Sequence, residues 1–537
     1  MPDALSNSRA RLRLAGFPRF PGLRAACVAV LVACQLLAPP AARAQLLPGM
    51  GDGGEMTAAA ERRLGDQIAR ELYRDPDYID DPVLEAYVQD IWSRLLAAAR
   101  LRGELTPELD ERFAWTLLMG RDRNINAFAL PGGYLGLNLG LIAVTDSPDE
   151  LATVLGHELS HVTQRHISRI MSRQGRQMPL LLAAMVLGII AAAKSRNGDA
   201  GQAVIMGSQA MAMQNQLSFS RDMEREADRI GYGVMTQAGF APQGAAAMFE
   251  KLQYASRLND NGSYPYLRSH PLTTERISDM QARFQFRATE GAAPVAPGVV
   301  GALPSKGPQM THALMAARAR VFSRPGVDVL RQWMRAASGS EFERSTPAAQ
   351  AGALCAAALA ARETQDLVQA RLFADRLAAR TAGDASASRV ARLLRAEIAL
   401  ASGAAPQAAA LLDAKSKDRP EMFLSAQVAM ALRNPAPMVA PLRDWVAVHP
   451  RDAGAWRLLS ALYGAQNDTV RAVRADAEAN VAVLDYAGAR DRFKAAQELV
   501  RNGAGGVPVD FYEASIIDTR ARAVDAMLKD QQADPPL

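Results

Sequence analysis

The stretch Gly156-His157-Glu158-Leu159-Ser160-His161 constrains this chain more than any other. Its two histidines stand four residues apart, so they share one face only if the segment is α-helical. Just upstream, Ser147-Pro148-Asp149-Glu150 supplies a helix start, with Ser147 as N-cap, Pro148 at the first helical position and Glu150 as the reciprocal capping-box acid. The spacing predicts a helix running from Pro148 toward Arg173, with a basic tail that suits a C-terminus. On it His157 and His161 reach a single metal, while Glu158 stands beside the open coordination position. That is the arrangement for zinc-activated water with a carboxylate as general base. The competing reading is a chance HExxH on an amphipathic helix, and the rest of the chain has to decide.

A third ligand is found downstream. In Ser220-Arg221-Asp222-Met223-Glu224-Arg225-Glu226-Ala227-Asp228-Arg229, Glu224 and Asp228 lie four apart on one helical face. Alone this is a helix laced by i to i+4 charge pairs. After an HExxH, Glu224 becomes the carboxylate that completes a two-histidine, one-glutamate site, and Asp228 an acceptor that orients a ligand imidazole. Glu226 faces elsewhere and serves as the internal negative control. The three-histidine pattern HExxHxxGxxH is excluded, because position 164 is Gln and His166 falls one residue early.

Composition matters mainly for what it excludes. The 537 residues are too many for one ordinary core, so two or three domains are expected. The formal charge of +5 suggests an acidic partner until its location is considered. Six of the 61 basic residues and one of the 56 acids fall in residues 1–44, which leaves 55 of each in the remainder. No basic surface for nucleic acid is expected. That Arg-rich start precedes an apolar run over residues 23–38 and the A-x-A site Ala42-Arg43-Ala44, and together they read as a secretory signal peptide cut before Gln45. A retained anchor is one alternative, although the run is shorter than the roughly 20 residues of a spanning helix. Lipidation at Cys34, in the lipobox-like Leu31-Val32-Ala33-Cys34, is another. Cleavage would leave Cys355 as the single cysteine, placed in an Ala-rich segment as small buried filler.

Residues 55–74 and 82–101 read as helices, the second capped by Asp80-Asp81. Residues 113–119 read as a buried strand, and residues 126–137 as a second candidate in which Pro131 enforces an edge or a turn. That segment is either a plain hairpin or an edge strand, with Gly132, Gly133 and Tyr134, that pairs with an extended peptide substrate by main-chain hydrogen bonds. Residues 178–193 carry no charge and read as a buried or lid helix over the cleft, with membrane-surface contact as the alternative.

Asn126-Ala127-Phe128-Ala129-Leu130-Pro131-Gly132-Gly133, residues 150–161 and Glu224-Arg225-Glu226-Ala227-Asp228 together resemble the gluzincin family of CAAX prenyl proteases and their soluble bacterial relatives, over roughly residues 50–285. The resemblance implies one zinc per chain, held by His157, His161 and Glu224, with Glu158 as base. It also makes Ser269-His270-Pro271 informative, because relatives carry a similar His-Pro segment with an Arg six residues on. His270 is then a helix-capping loop residue, an oxyanion donor, or a fourth ligand that holds the enzyme latent. Arg276 pairs with the substrate backbone or with the acids near Glu224.

Residues 288–308, rich in Ala, Pro, Val and Gly, read as a linker between a metallopeptidase domain at 45–287 and a helical domain at 309–537. There Trp456-Arg457-Leu458-Leu459-Ser460-Ala461-Leu462-Tyr463 fits a tetratricopeptide start, with Ala472 in the second helix, and Ala489, Phe493 and Ala496 repeat the A-x3-F spacing. The expected fold is mainly α: a zincin-like α+β domain with a small sheet, then an α-solenoid of tetratricopeptide-like repeats whose concave groove binds a client. The chemistry expected is that of an exported zinc metalloendopeptidase of Gram-negative type. The resemblance implies clients among misfolded or stalled outer-membrane β-barrel proteins and their assembly machinery. A periplasmic chaperone or scaffold with a largely latent zinc site is the alternative. A membrane-bound prenyl-protein processor is disfavoured by the lack of several long apolar spans.

Overall fold

In the computed structural model, described over residues 56–174, 220–258, 264–289, 309–503 and 510–533, the first helices begin where their capping chemistry dictates. Thr57 accepts from the backbone N–H of Ala60 and opens α1 (Ala58–Arg74); Asp81 accepts from Leu84 N–H and opens α2 (Pro82–Leu101). A short α3 (Pro107–Arg112) leads to the sheet. β1 (Thr116–Gly120) pairs in parallel with β3 (Tyr134–Asn138), which pairs on its other side, antiparallel, with β2 (Ala127–Leu130). The order is β1-β3-β2, so the strand begun at Tyr134 is central and β2 lies at the edge.

This corrects the expectation for Gly132, Gly133 and Tyr134. The two glycines form a 3-10 turn with φ of +71° and +84°, pressed against α1 and the segment before β1. A Cβ on Gly132 would stand 2.6 Å from Arg62 Cα, and one on Gly133 2.7 Å from Phe113 Cβ. Tyr134 pairs through its backbone with strands on both sides and donates its hydroxyl to Asp66 at 2.7 Å. None of the three lies on an edge strand; the edges of the sheet are β1 and β2.

After α4 (Leu139–Val144), Ser147 caps α5 (Pro148–Thr163) by accepting from Glu150 N–H at 3.2 Å. Glu150 does not return the bond to Ser147; it accepts from Asp146 N–H and pairs with Lys251. Every residue of α5 is buried, as befits a helix at the centre of its domain. The predicted continuation to Arg173 is broken. Arg165 adopts φ +53° and turns its guanidinium to buried Glu61 on α1, and a separate helix, α6 (His166–Gln174), follows. α7 (Arg221–Gln237) crosses α5 at Gly156 and Gly231, backbone against backbone: a Cβ on Gly231 would lie 2.9 Å from Gly156 and from His157 N. α8 (Gln243–Leu258), the short α9 (Tyr266–Ser269) and α10 (Thr274–Thr289) complete this part. Ala288 and Thr289 still belong to α10, while residues 290–308, the leader 1–44 with Cys34, and residues 178–193 lie outside the described residues.

From α11 (Met310–Phe322) onward the described residues are mainly helical; α11 packs on the helix Pro347–Glu363, and from that helix on each packs on the next. The helices Ala453–Ala465 and Thr469–Ala482 carry the repeat-like motif, and Ala489, Phe493 and Ala496 are buried in Tyr486–Arg501. Cys355 is buried and its thiol is pushed up to about 12 by burial, as expected of filler. Among the described residues no helix is long and apolar enough to cross a membrane. The fold is thus mainly α with one small sheet, as the sequence implies.

The helical region is fastened to the part before it through the start of α2. Arg318 makes two hydrogen bonds to Asp81, at 2.8 and 2.7 Å, and also pairs with Glu397. Arg419 bridges Asp80 and Asp452. Buried His312 donates from Nε2 to Thr145 O at 2.9 Å and accepts at Nδ1 from the Tyr87 hydroxyl at 2.6 Å, which requires a neutral ring.

Burial pulls the His312 imidazole down to about 4 from the usual 6.5. Between these values the unfolded chain takes up a proton that folded His312 refuses, so stability falls as pH falls through that window. The expected loss is on the order of 3 kcal/mol. Denaturant unfolding between pH 4 and 7 should therefore give a shallower slope for His312→Gln than for the native chain; equal slopes would refute this account.

Candidate metal centre

The main-chain contact between Gly156 and Gly231 brings the HExxH turn of α5 within reach of the first turn of α7. His157 Nε2 lies 2.9 Å from His161 Nε2, and each is 3.5 Å from an oxygen of Glu224. His270, which ends α9 and stacks on Tyr266, adds its Nδ1 at 2.9 Å from Glu224 and 3.3 Å from His157. These four residues are buried, and their donor atoms all fall within 4.8 Å of one another. Bonds of about 2.0–2.1 Å to a tetrahedral ion separate its ligands by about 3.3 Å, so the observed spacings fit one ion.

Glu158 is fully buried beside this group. Its Oε2 accepts from the backbone N–H of Ala129 on β2 at 2.9 Å. Its Oε1 makes no hydrogen bond among the described residues, with His270 Nε2 at 3.4 Å. Burial raises this carboxyl above the usual range, against the pull of His270 and His157. Burial also opposes charge on Glu224, but His270 and His157 outweigh it and hold that carboxylate well below its usual value.

His157 is oriented as the sequence predicts. Its Nδ1 is 3.0 Å from Asp228 Oδ1, and Asp228 is itself gripped by Arg276 through two hydrogen bonds of 2.7 and 2.8 Å. Burial works against charge on His157, yet its bonds to Asp228 and Glu224 push it up to about 10 in the metal-free group. Arg276 also approaches Glu224 at 2.7 Å and donates to Pro271 O. Of the two readings of Arg276, the pairing with the acids near Glu224 is the one seen: the guanidinium is buried between Asp228 and Glu224. Of the three readings of His270, helix capping is overturned, since Thr273 accepts from Arg276 N–H at the start of α10.

Two residues were missed. Glu226, expected to face elsewhere, accepts from His166 Nε2 at 3.1 Å, and His166 Nδ1 meets His161 Nδ1 at 2.9 Å. The signal was the histidine five residues beyond the HExxH pair, which matters only because the helix breaks at Arg165 and folds the next turn back.

A buried glutamate beside two helix-borne histidines and a carboxylate from a second helix is the layout of a metallopeptidase, and comparison with known families agrees. Residues 82–284 match Peptidase family M48. The match falls within the stretch, roughly residues 50–285, on which the motif resemblance rests. Part of the chain also aligns with curated proteins. A putative beta-barrel assembly-enhancing protease of Vibrio cholerae is 37% identical over 243 residues, 44% of this chain and 47% of that relative. The beta-barrel assembly-enhancing protease of Escherichia coli K12 is 34% identical over 267 residues, 49% of this chain and 52% of that relative. Metalloprotease LoiP of the same organism is 30% identical over 164 residues, 30% of this chain and 59% of that protein. The chain thus spans about half the length of the first two relatives.

Proposed function

We propose that this chain is a zinc-dependent metalloendopeptidase acting in the Gram-negative periplasm on outer-membrane β-barrel proteins during their assembly or quality control. The observation that carries the chemistry is the convergence of His157, His161 and Glu224 on one point with buried Glu158 beside it. Two imidazoles and a carboxylate suit zinc, one ion per chain, and leave a fourth position for chemistry. Zinc held there would supply Lewis-acid activation of the scissile carbonyl and of water. Glu158 takes the proton at Oε1 and delivers it to the leaving amine. An extended substrate lies along the outer edge of β2, whose Ala129 N–H holds Glu158 beside the site. Arg276 and Asp228 hold His157 in register while this happens.

The client class follows the printed names of the two β-barrel relatives, and the periplasmic address follows the predicted leader. The helical region, as a tetratricopeptide-like array, would bring in clients or assembly machinery. A scaffold whose zinc site is largely latent is favoured by one observation, the seat of His270 Nδ1 among the ligands.

Glu158→Gln separates the two readings. It should retain one zinc per chain and lose cleavage of an unfolded β-barrel protein by roughly a hundred- to ten-thousand-fold. Full function in cells with the same variant would favour the scaffold, and a native chain that binds no zinc would remove the site assignment.

A further inference from the structure

The two HExxH imidazoles are supported in different ways. His157 reaches its carboxylate directly, through Nδ1 to Asp228, with Arg276 behind it. His161 Nδ1 meets the Nδ1 of His166, whose Nε2 meets Glu226, which is paired with Arg169 at 3.0 Å. His161 and His166 are both fully buried, so the proton between them is shielded from solvent.

A hydrogen bond between two ring nitrogens needs one protonated and one bare partner. If His161 gives Nε2 to a metal, its Nδ1 carries the proton and donates to a bare His166 Nδ1. The proton of His166 then sits on Nε2 and points at Glu226. Each bond therefore fixes the direction of the next, from a carboxylate at the edge of the fold to the ligand at its centre. A carboxylate placed behind a ligating imidazole fixes the tautomer and raises ligand basicity.

We propose that His166 and Glu226 are positioning residues that orient His161 toward the metal, with His166 as a relay imidazole between ligand and carboxylate. This rests on the zinc reading above. The break at Arg165 makes the relay possible: on an unbroken helix His166 would lie about 500° around from His161, which leaves it about 140° off that face. After the break its ring centroid stands 4.8 Å from that of His161.

The test is zinc affinity of the full chain, measured by competition with a chromophoric chelator, together with the visible spectrum of the cobalt-loaded protein and the thermal midpoint of the metal-free protein. Glu226→Ala should weaken zinc binding about 10- to 100-fold and shift the cobalt bands, a larger loss than the drop in the metal-free midpoint accounts for. Glu226→Gln, which keeps an acceptor oxygen, should fall between Ala and native. Glu275→Ala, which removes a nearby exposed acid outside the relay, should leave affinity unchanged. If Glu226→Ala lowers the metal-free midpoint but leaves affinity and spectrum intact, His166 and Glu226 merely tie α6 to α7 and the proposal is overturned. Native binding with no effect of Glu226→Ala on any readout overturns it as well. A native chain that takes up no zinc or cobalt overturns the relay and the zinc reading together.

Discussion

His270→Ala is expected to raise basal cleavage of an unfolded β-barrel protein while the chain keeps one zinc. In the described geometry His270 Nδ1 stands with the ligand atoms and its Nε2 faces Glu158, so the ring fills the space a substrate carbonyl and water need. Apparent activity scales with the fraction of molecules in which that ring has left. If nine in ten are closed, removing the ring gives about a tenfold gain, and a deeper closed state gives more. Zinc should stay, because His157, His161 and Glu224 make the usual three-ligand catalytic set, although its affinity should drop with a donor gone. Cleavage and zinc content measured side by side decide the matter. Lower basal cleavage with unchanged zinc geometry would sink the latent-ligand reading and leave His270 as an oxyanion donor.

Arg318→Ala should cost about 3–5 kcal/mol in the first unfolding transition. The loss comes less from an attraction removed than from what remains. Asp81 is buried, caps α2 and is kept ionised, despite burial, by Arg318. Without the guanidinium that charge stays in the interior unpaired. Asn also caps helices, so Arg318→Ala combined with Asp81→Asn should recover much of the loss. Denaturant unfolding of the two single variants and the double variant closes the cycle. Additive losses would mean that Arg318 and Asp81 act independently across this interface.

The sequence made the local features legible. Ser147 and Pro148 start α5, Asp81 starts α2, and the four-residue spacings of His157 with His161 and of Glu224 with Asp228 put each pair on one helical face, because helical geometry alone decides such pairs. What it could not disclose depends on contacts between distant segments. Tyr134 became central because β1 returned to pair with β3 in parallel, which the hairpin pattern at residues 126–137 does not encode. Glu226 points away from the metal on its own helix, and only the break at Arg165 brings His166 across to meet it. Arg318 and Asp81 are 237 positions apart, and no periodicity marks their pairing. The choice between substrate and the acids for Arg276 stayed open because the depth of Asp228 and Glu224 is a property of the fold.

The crossing of α5 and α7 at Gly156 and Gly231 also bears on how the centre responds to heating. Side-chain packing softens gradually, as rotamers become exchangeable one by one. Main chain seated on main chain has no such intermediate states. The spacing between the HExxH turn and Glu224 should therefore hold steady while the surroundings loosen, then fail at once when the two helices part. Metal release and loss of the α5–α7 contact would be a single event.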